Sequence, residues 1–238
     1  MVTSAMQAID RLVSDGRLGA VVTIIDGPDI GSFAVIDGAS GSREIGATWL
    51  DDPLMADVVA LMAREESLAI THGDRRLFVD VVAPPPTMLI FGAGHVAQML
   101  APMAQSAGFR VVVSDARSDW ITHERFPGID GRVVGWPDRV LDLHPLDART
   151  FIVLLSHDRR FEDPVFSAVR DAQVAYIGAM GSRRTHAGRL ERLAAEGWTP
   201  EQLGAIHGPI GLDLSARTPA ETAVSIMAEV ILVRRSGG

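Results

Sequence analysis

The two glycines at positions 92 and 94 are the residues with the clearest potential for chemistry. They open the pattern Gly92-Ala93-Gly94-His95-Val96-Ala97, in which the first glycine permits a tight turn and the second lets the backbone approach a phosphate. The small Ala97 lets the following helix pack close to the strand before it. Free N–H groups at the start of that helix favour an anion. The turn therefore predicts a phosphate-binding site.

An acid and a base follow the next predicted strand. Asp115 lies 21 positions after Gly94, where an acid in such a unit reaches ribose hydroxyls. Arg117 suits a phosphate, so the pair leaves open NAD, NADP or another ligand with a phosphate and several ring donors. His95 lies at the positive end of the helix, where a neutral imidazole can donate a hydrogen bond to a cofactor or to a neighbouring loop.

Further loops carry candidates of the same kind. His157, in Ser156-His157-Asp158, follows a buried strand at the edge where open α/β sheets bind ligands, and a proton-transfer pair with Asp158 is one hypothesis for it. A second glycine turn is either an anion cradle or the start of a solvated basic helix. His207 begins a third glycine-rich loop that can close over the same crevice. The candidates in these two glycine loops are Gly178, Gly181, Ser182, Arg183 and Gly211.

Alternating strands and helices must position these loops. Apolar runs of strand length alternate with helical periodicity, which predicts a parallel sheet covered by helices. The predicted strands span residues 88–91, 109–114, 132–135, 150–155 and 174–177, and the predicted helices span 96–107, 161–172 and 219–235. Thr218-Pro219-Ala220-Glu221 matches a capping box at the start of the last helix. The predicted fold class is α/β, with a Rossmann-like parallel sheet domain.

The first 83 residues predict a small α+β N-terminal domain. Helical periodicity covers residues 4–15 and 52–66, and strand-like runs cover 19–26, 32–37, 43–48 and 77–82. Pro84-Pro85-Pro86-Thr87 follows, and three consecutive prolines continue neither a helix nor a central strand. We therefore predict domains at 1–83 and 88–238, joined by a linker at 84–87.

Composition limits the classes of partner. The 238 residues include 22 Lys and Arg against 30 Asp and Glu, and the net charge of −8 argues against nucleic acid or an anionic membrane as partner. No apolar run approaches the roughly 20 residues of a membrane helix, and the first residues lack the apolar core of a signal peptide, so we expect a cytoplasmic protein. The absence of cysteine excludes thiolate nucleophiles, iron–sulfur clusters and Cys-ligated zinc, and the seven histidines lack metal-binding spacing.

Several motifs together resemble the XdhC/CoxI family. They are residues 89–97 after the triple proline, Asp115-x-Arg117, Ser156-His157-Asp158, and residues 176–184, 209–213 and 218–226. Members of this family are accessory factors for xanthine dehydrogenase and related molybdenum hydroxylases. The resemblance implies a non-catalytic chaperone that binds the molybdenum cofactor, protects its sulfurated form and delivers it to the apo molybdenum hydroxylase. It also implies a homodimer, with a cysteine desulfurase as a further partner.

The resemblance also implies which residues line the cofactor crevice. They are Gly92, Gly94, His95, Asp115, Arg117, His157, Gly178, Gly181, Ser182, Arg183 and Gly211. It assigns no catalytic residue and no metal ligand. In the family a glycine-rich stretch of the N-terminal domain often ends in cysteine or a similar small residue before an acid, and the matching residues here are 39–44. Because the chain lacks cysteine, it has no thiol to contact molybdenum.

An enzyme is the alternative hypothesis. A NAD(P)-dependent oxidoreductase would use the same glycine turn and Asp115, with His157 as proton donor and acceptor. It would also require a substrate pocket, and the predicted N-terminal domain has no recognisable catalytic set. The sequence leaves open whether the cofactor is a mononucleotide or a dinucleotide form.

Overall fold

The structure is a computed structural model that describes residues 4–38, 43–45, 47–156 and 158–236. The chain forms two compact units, Met1–Pro84 with Arg234–Gly238 and Pro85–Val233. The first unit holds an antiparallel sheet and the second a parallel sheet, so the predicted fold class is confirmed. The predicted limits 1–83, 84–87 and 88–238 remain a prediction, because a division by contacts reports packing and not independent folding.

The first unit is an antiparallel sheet with two helices. Its strands are β1 Gly19–Asp26, β2 Phe33–Asp37, β3 Arg43–Ile45, β4 Leu68–His72 and β5 Arg75–Val82, and its helices are α1 Ala5–Ser14 and α2 Asp52–Arg64. The strand order is β3-β2-β1-β5-β4. Residues 39–42, which include most of the segment matched to the family's glycine-rich stretch, lie outside the described residues.

Strand β1 is apolar on both faces because each face meets a helix. Val21 clusters with Leu12 of α1, whereas Val22 clusters with Leu54 and Val58 of α2. Successive side chains of a strand point to opposite faces, so one continuous apolar run contacts both helices. This packing explains why the β1 sequence does not alternate between apolar and polar residues.

The second unit is a parallel sheet between helices. Its strands are β6 Thr87–Phe91, β7 Arg110–Asp115, β8 Gly131–Val134, β9 Thr150–Leu154, β10 Tyr176–Ala179 and β11 Ile206–His207. Its helices are α3 His95–Ser106, α4 Pro137–Leu143, α5 Arg159–Val169, α6 Arg183–Ala195, α7 Pro200–Gly204 and α8 Pro219–Ser236, of which α8 ends in residues assigned to the first unit, and a 3-10 turn covers Ser118–Trp120. The strand order β8-β7-β6-β9-β10-β11 is that of the Rossmann fold.

Helices cover both faces of this sheet. Ile90 of β6 lies in one buried cluster with Leu100 of α3 and Ile226 of α8. Its neighbour Leu89 lies in a second buried cluster with Val165 of α5. Parallel strands covered on both faces read as continuous apolar runs, which is the pattern that predicted them.

Strand β6 lies where the strand order reverses. The chain runs from β6 to β7 and β8 on one side, and then returns to β9 on the other side of β6. In open α/β sheets, ligands bind at such a reversal, outside the carboxyl ends of the strands. A ligand site is therefore expected among the residues that follow β6, β7 and β9.

Some elements differ from the sequence-based prediction. Strands β4 and β11 and helices α4 and α7 were not predicted; the two strands lie at sheet edges, and both helices are short. The third predicted strand covers only Arg43–Ile45 of 43–48. The strand predicted at 174–177 lies two residues later, at Tyr176–Ala179, because its apolar run starts before the residues that pair with β9.

The buried parallel sheet should dominate the stability of the second unit. Ile90 is 1% exposed, so Ile90→Ala should lower the free energy of unfolding by about 2–5 kcal/mol in urea titrations. Ile231→Ala is the matched control, because Ile231 lies on α8 with 44% exposure, and it should change the free energy of unfolding by less than about 1 kcal/mol. Equal losses in both variants would contradict the assigned core.

Candidate functional site

The glycine turn after β6 lies close to the backbone that follows the neighbouring strand β9. Gly92 has φ +104, and a Cβ there would lie 3.2 Å from the Leu155 carbonyl carbon and from the Ser156 nitrogen. The backbone conformation therefore favours glycine, and a Cβ would also make tight contacts with the backbone after β9. Gly94 is the N-cap of α3, with no side-chain capping bond and no atom within 4 Å of a Cβ position. The turn is thus closed on the side of β9 and open at the start of α3.

Asp115 ends β7 and is 1% exposed. Its Oδ1 accepts hydrogen bonds from the backbone N–H and the Nε of Arg117, at 3.0 and 2.8 Å. Its Oδ2 accepts from the Ala93 N–H at 2.9 Å and from Arg117 Nη2 at 2.7 Å. A carboxylate has about four acceptor positions, and these four bonds occupy them. Asp115 therefore binds the glycine turn and leaves no acceptor for ribose hydroxyls.

The charge state of Asp115 follows from these bonds. Burial alone would raise the pKa of Asp115, but the hydrogen bonds from Arg117 and from the Ala93 N–H outweigh it and hold the pKa below its usual value. The carboxylate is therefore ionised at neutral pH and stabilises the folded state above its normal pKa range.

Two arginines and a tryptophan flank the turn. The Arg117 guanidinium lies over the Trp120 ring, with 3.8 Å from Cζ to the ring centroid, and the Cζ of Arg125 lies 4.7 Å from the same centroid. Arg125 Nη2 also donates to the Ala93 carbonyl at 3.2 Å. Neither Arg125 nor Trp120 was predicted from the sequence, because no motif includes them. Both lie between β7 and β8, Trp120 at the end of the 3-10 turn and Arg125 in the segment that follows it.

His95 is the first residue of α3 and is exposed beside the open end of the turn. Its predicted contact with a cofactor stays a prediction. His157 lies outside the described residues, so its predicted role as a ligand contact or proton-transfer residue also stays a prediction.

The residue after His157 has a defined structural role. The Asp158 side chain caps α5 by accepting from the Arg160 N–H at 2.9 Å, and it also forms a salt bridge to the Arg160 guanidinium at 2.6 Å. These bonds from Arg160 hold the pKa of Asp158 below its usual value. Arg160 in turn lies 4.9 Å from the Trp136 ring centroid. Asp158 therefore acts as a capping acid, which disfavours the hypothesis of a proton-transfer pair.

The glycine loop after β10 combines a packing residue with an exposed cation. A Cβ at Gly178 would overlap the hydroxyl of Tyr176, so Gly178 is a packing glycine inside the sheet. Ser182 caps α6 by accepting from the Thr185 N–H at 3.1 Å. The Arg183 side chain is 88% exposed and lies 3.4 Å from Asp213. Gly181 and Ser182 lie in the turn between β10 and α6.

A buried ion pair supports this loop. Arg189 of α6 donates to Glu162 of α5 through Nη2 at 2.7 Å and Nε at 3.0 Å, and both residues are at most 5% exposed. Arg189 Nη2 also donates to the Met180 carbonyl at 2.9 Å. The pair therefore fixes the backbone immediately before Gly181.

The third glycine loop is held by Glu229 of α8. Its Oε2 accepts from the Tyr176 hydroxyl at 2.5 Å and from the Gly211 N–H at 2.9 Å, while Oε1 lies 3.4 Å from His207 Nδ1. Burial alone would raise the pKa of Glu229, but the bonds from His207, Tyr176 and Gly211 outweigh it and lower that pKa. Burial and Glu229 raise the pKa of Tyr176, so the phenol stays protonated.

The predicted site residues thus fall into separate groups. Gly92, Gly94, His95, Asp115 and Arg117 lie together around the turn after β6, and Arg125 joins them. Gly181, Ser182 and Arg183 lie after β10, two strands from β6, which corresponds to about 10 Å across the sheet. Gly178 and Gly211 pack inside the fold. The assignment of all these residues to one cofactor crevice remains a prediction.

Within the described ranges, no group of three or more His, Asp or Glu side chains is arranged to hold a metal ion. No helix in the same ranges is long and apolar enough to cross a membrane.

Comparison with known proteins identifies relatives of both parts of the chain. The family model described as the XdhC Rossmann domain matches residues 88–230. A Bacillus subtilis (strain 168) protein, named as a probable xanthine dehydrogenase subunit, is 29% identical over 189 residues, which cover 79% of this chain and 54% of that protein. The molybdenum cofactor insertion chaperone PaoD of Escherichia coli (strain K12) is 40% identical over 106 residues, which cover 42% of this chain and 33% of PaoD. The chain spans about half or less of these curated relatives.

A solved structure has a similar fold. A crystal structure described as a xanthine dehydrogenase from Bacillus halodurans matches with a TM-score of 0.58 and 16% identity, covering 98% of this chain and 96% of that one. At this identity the similarity concerns the fold alone.

The bonds of Asp115 predict a pH-dependent contribution to stability. Asp115→Ala should lower the free energy of unfolding at pH 7 by about 1–3 kcal/mol, because the buried Ala93 N–H loses its acceptor. The difference from wild type should shrink as pH falls below about 4, because a carboxylate with a lowered folded-state pKa loses its contribution there. Urea titrations from pH 7 to pH 3 measure it. Asp119→Ala, at an exposed neighbour, should show neither effect.

Gly211 should be required for packing and not for ligand contact. It has φ +93, and a Cβ there would overlap the Ser225 hydroxyl and lie 3.0 Å from the Ile226 nitrogen. Gly211→Ala should therefore lower the thermal midpoint more than Gly108→Ala, whose φ is +85 but whose Cβ position meets no atom within 4 Å. A smaller loss at Gly211 would show that its close contacts relax freely.

Proposed function

The chain belongs to the XdhC family, and on that premise we propose that it is a maturation factor that carries the molybdenum cofactor to an apo molybdenum hydroxylase. The observation that supports this proposal is the glycine turn at the reversal of the parallel sheet, where the open start of α3 lies beside Arg117 and Arg125. Such an edge favours a phosphate-bearing ligand. The names of two relatives, a molybdenum cofactor insertion chaperone and a probable xanthine dehydrogenase subunit, suggest which ligand and which partner.

The residues at the turn fit the phosphate part of such a cofactor. Free N–H groups at the start of α3, with no side chain capping them, can donate to a phosphate oxygen. The Arg117 side chain is 58% exposed and its guanidinium is fixed by Asp115, while the exposed His95 is the first residue of α3. When bound, the cofactor would supply the molybdenum centre for the hydroxylase. The protein's own part is to bind the phosphate, orient the cofactor and shield it.

Sulfur handling by the chain itself does not fit its composition. Thiolates are good ligands for soft metals, but the chain has no cysteine. We therefore propose that this chain holds the cofactor by its organic part and supplies no thiolate ligand to molybdenum. A cysteine desulfurase would be a separate partner. We further propose, from the sequence, that the protein is a homodimer and that it transfers the cofactor in the cytoplasm.

The oxidoreductase alternative has less support in the geometry. It relies on an acid that binds the ribose of a nicotinamide cofactor, and the acceptor positions of Asp115 are occupied by Arg117 and Ala93. A Rossmann fold alone does not specify hydride transfer. A competition assay separates the two hypotheses: the protein is incubated with molybdenum cofactor and NAD(P)(H) together and desalted. Retained pterin supports the carrier, whereas retained nucleotide alone would favour the enzyme.

Gly94→Asp should abolish cofactor binding without unfolding the protein. The substitution puts a negative charge at the open end of α3, where a Cβ meets no atom within 4 Å and the backbone angles suit any residue. Retained pterin should fall to background, and molybdenum per co-expressed hydroxylase should fall with it, measured by mass spectrometry of the metal.

Gly188→Asp is the matched control, since it adds the same charge at an exposed position of α6 where a Cβ also meets no atom within 4 Å. It should leave both readings near wild type. An unchanged molybdenum content in the hydroxylase co-expressed with Gly94→Asp would count against the proposed function.

A further inference from the structure

Arg125 is fixed against the glycine turn from several directions. Its Nη2 donates to the Ala93 carbonyl at 3.2 Å, in the middle of the turn. Its own backbone N–H donates to Thr122 Oγ1 at 3.3 Å, and its carbonyl accepts from Gln98 Nε2 of α3 at 3.4 Å. The guanidinium also lies over Trp120. Arg125 is therefore held in place before any ligand arrives, which lowers the entropy lost on binding.

Among the residues that the structure describes, none provides a counter-ion for the positive charge of Arg125. Across the part of the chain that the structure describes, no carboxylate lies within 4.0 Å of its guanidinium, in contrast to Arg117, which pairs with Asp115 at 2.7 Å. The Arg125 side chain is partly buried, and its Nε is buried without a hydrogen-bond partner. A partly buried cation without an anion is unfavourable, so this arrangement favours an anionic ligand.

We propose that Arg125 is a phosphate-binding residue of the glycine turn, so that this edge of the sheet recognises a phosphate or diphosphate group and not a ribose diol. The guanidinium supplies a planar pair of donors, which match phosphate oxygens. Asp115 cannot take a ribose, because Arg117 and Ala93 occupy its oxygens. The inference rests on the proposed function in that the phosphate would belong to the cofactor, but phosphate binding itself is measured independently.

Binding of inorganic phosphate and pyrophosphate to the purified full chain tests this proposal. Arg125→Met removes the charge and keeps the packed stem, and it should weaken binding of the preferred anion about 10- to 100-fold in calorimetric titrations. Arg125→Lys, which keeps the charge but loses the fork, should be intermediate. Arg11→Met is the control, since that side chain is 52% exposed on α1 of the first unit, and the variant should bind both anions within about threefold of wild type. Tighter binding of pyrophosphate than of phosphate would identify a diphosphate group.

Several outcomes would overturn the proposal. They are undetectable binding of both anions by wild type, wild-type affinity in Arg125→Met, or a lowered thermal midpoint of that variant with unchanged affinity, which would indicate a purely structural role. If Arg125→Met does not fold, wild type is treated with an arginine-specific dicarbonyl reagent. Pyrophosphate should then slow modification of Arg125, as located by mass spectrometry, and no protection would equally refute the proposal.

The inference and the proposed function can fail separately. If anion binding depends on Arg125 but the protein retains no molybdenum cofactor, the phosphate site stands and the carrier role fails. If the protein retains the cofactor and Arg125→Met binds phosphate and pyrophosphate as wild type does, the carrier role stands and the role of Arg125 fails.

Discussion

The bonds of the Asp115 carboxylate are the interaction on which the candidate site depends. One buried side chain joins the end of β7, the N–H of Ala93 in the glycine turn and the guanidinium of Arg117. Burial of a carboxylate is unfavourable unless its oxygens are hydrogen-bonded, and here the bonds to both oxygens satisfy that requirement. The same bonds that hold the turn therefore occupy the oxygens of Asp115 that a ribose hydroxyl would need as acceptors.

A buried carboxylate, Glu162, and a partly buried one, Glu229, support the other two glycine loops in a similar way. Glu162 pairs with Arg189, which in turn holds the Met180 carbonyl before the loop after β10. Glu229 accepts the Gly211 N–H of the loop after β11. In each case a charge within the fold fixes backbone at the carboxyl edge of the sheet, so a ligand at this edge would meet pre-organised loops. The loop backbone at the carboxyl edge of the sheet is thus positioned by residues within the fold and not by the exposed residues of the loops.

The fold and the family carry different information about the ligand. The strand order is that of many dehydrogenases, and the glycine turn alone is compatible with a nicotinamide cofactor. The match to the XdhC Rossmann domain assigns the family, and the occupied acceptors of Asp115 agree better with a ligand recognised through its phosphate. The chain has no cysteine, so it offers no thiolate ligand to molybdenum.

The class of fold, the position of the glycine turn and the family were all predictable from the sequence. Long apolar runs and glycine turns are local patterns, and burial on both faces forces them to appear in order along the chain. Short edge strands such as β4 and β11 were not predictable, since each contains too few residues to show a clear apolar run or alternation. Three features of the site became clear from the folded chain: Asp115 binds protein donors, Gly178 and Gly211 are packing glycines, and Arg125 contacts the turn. These facts depend on residues distant in sequence, and a side chain's partners are set by packing, which no local pattern encodes.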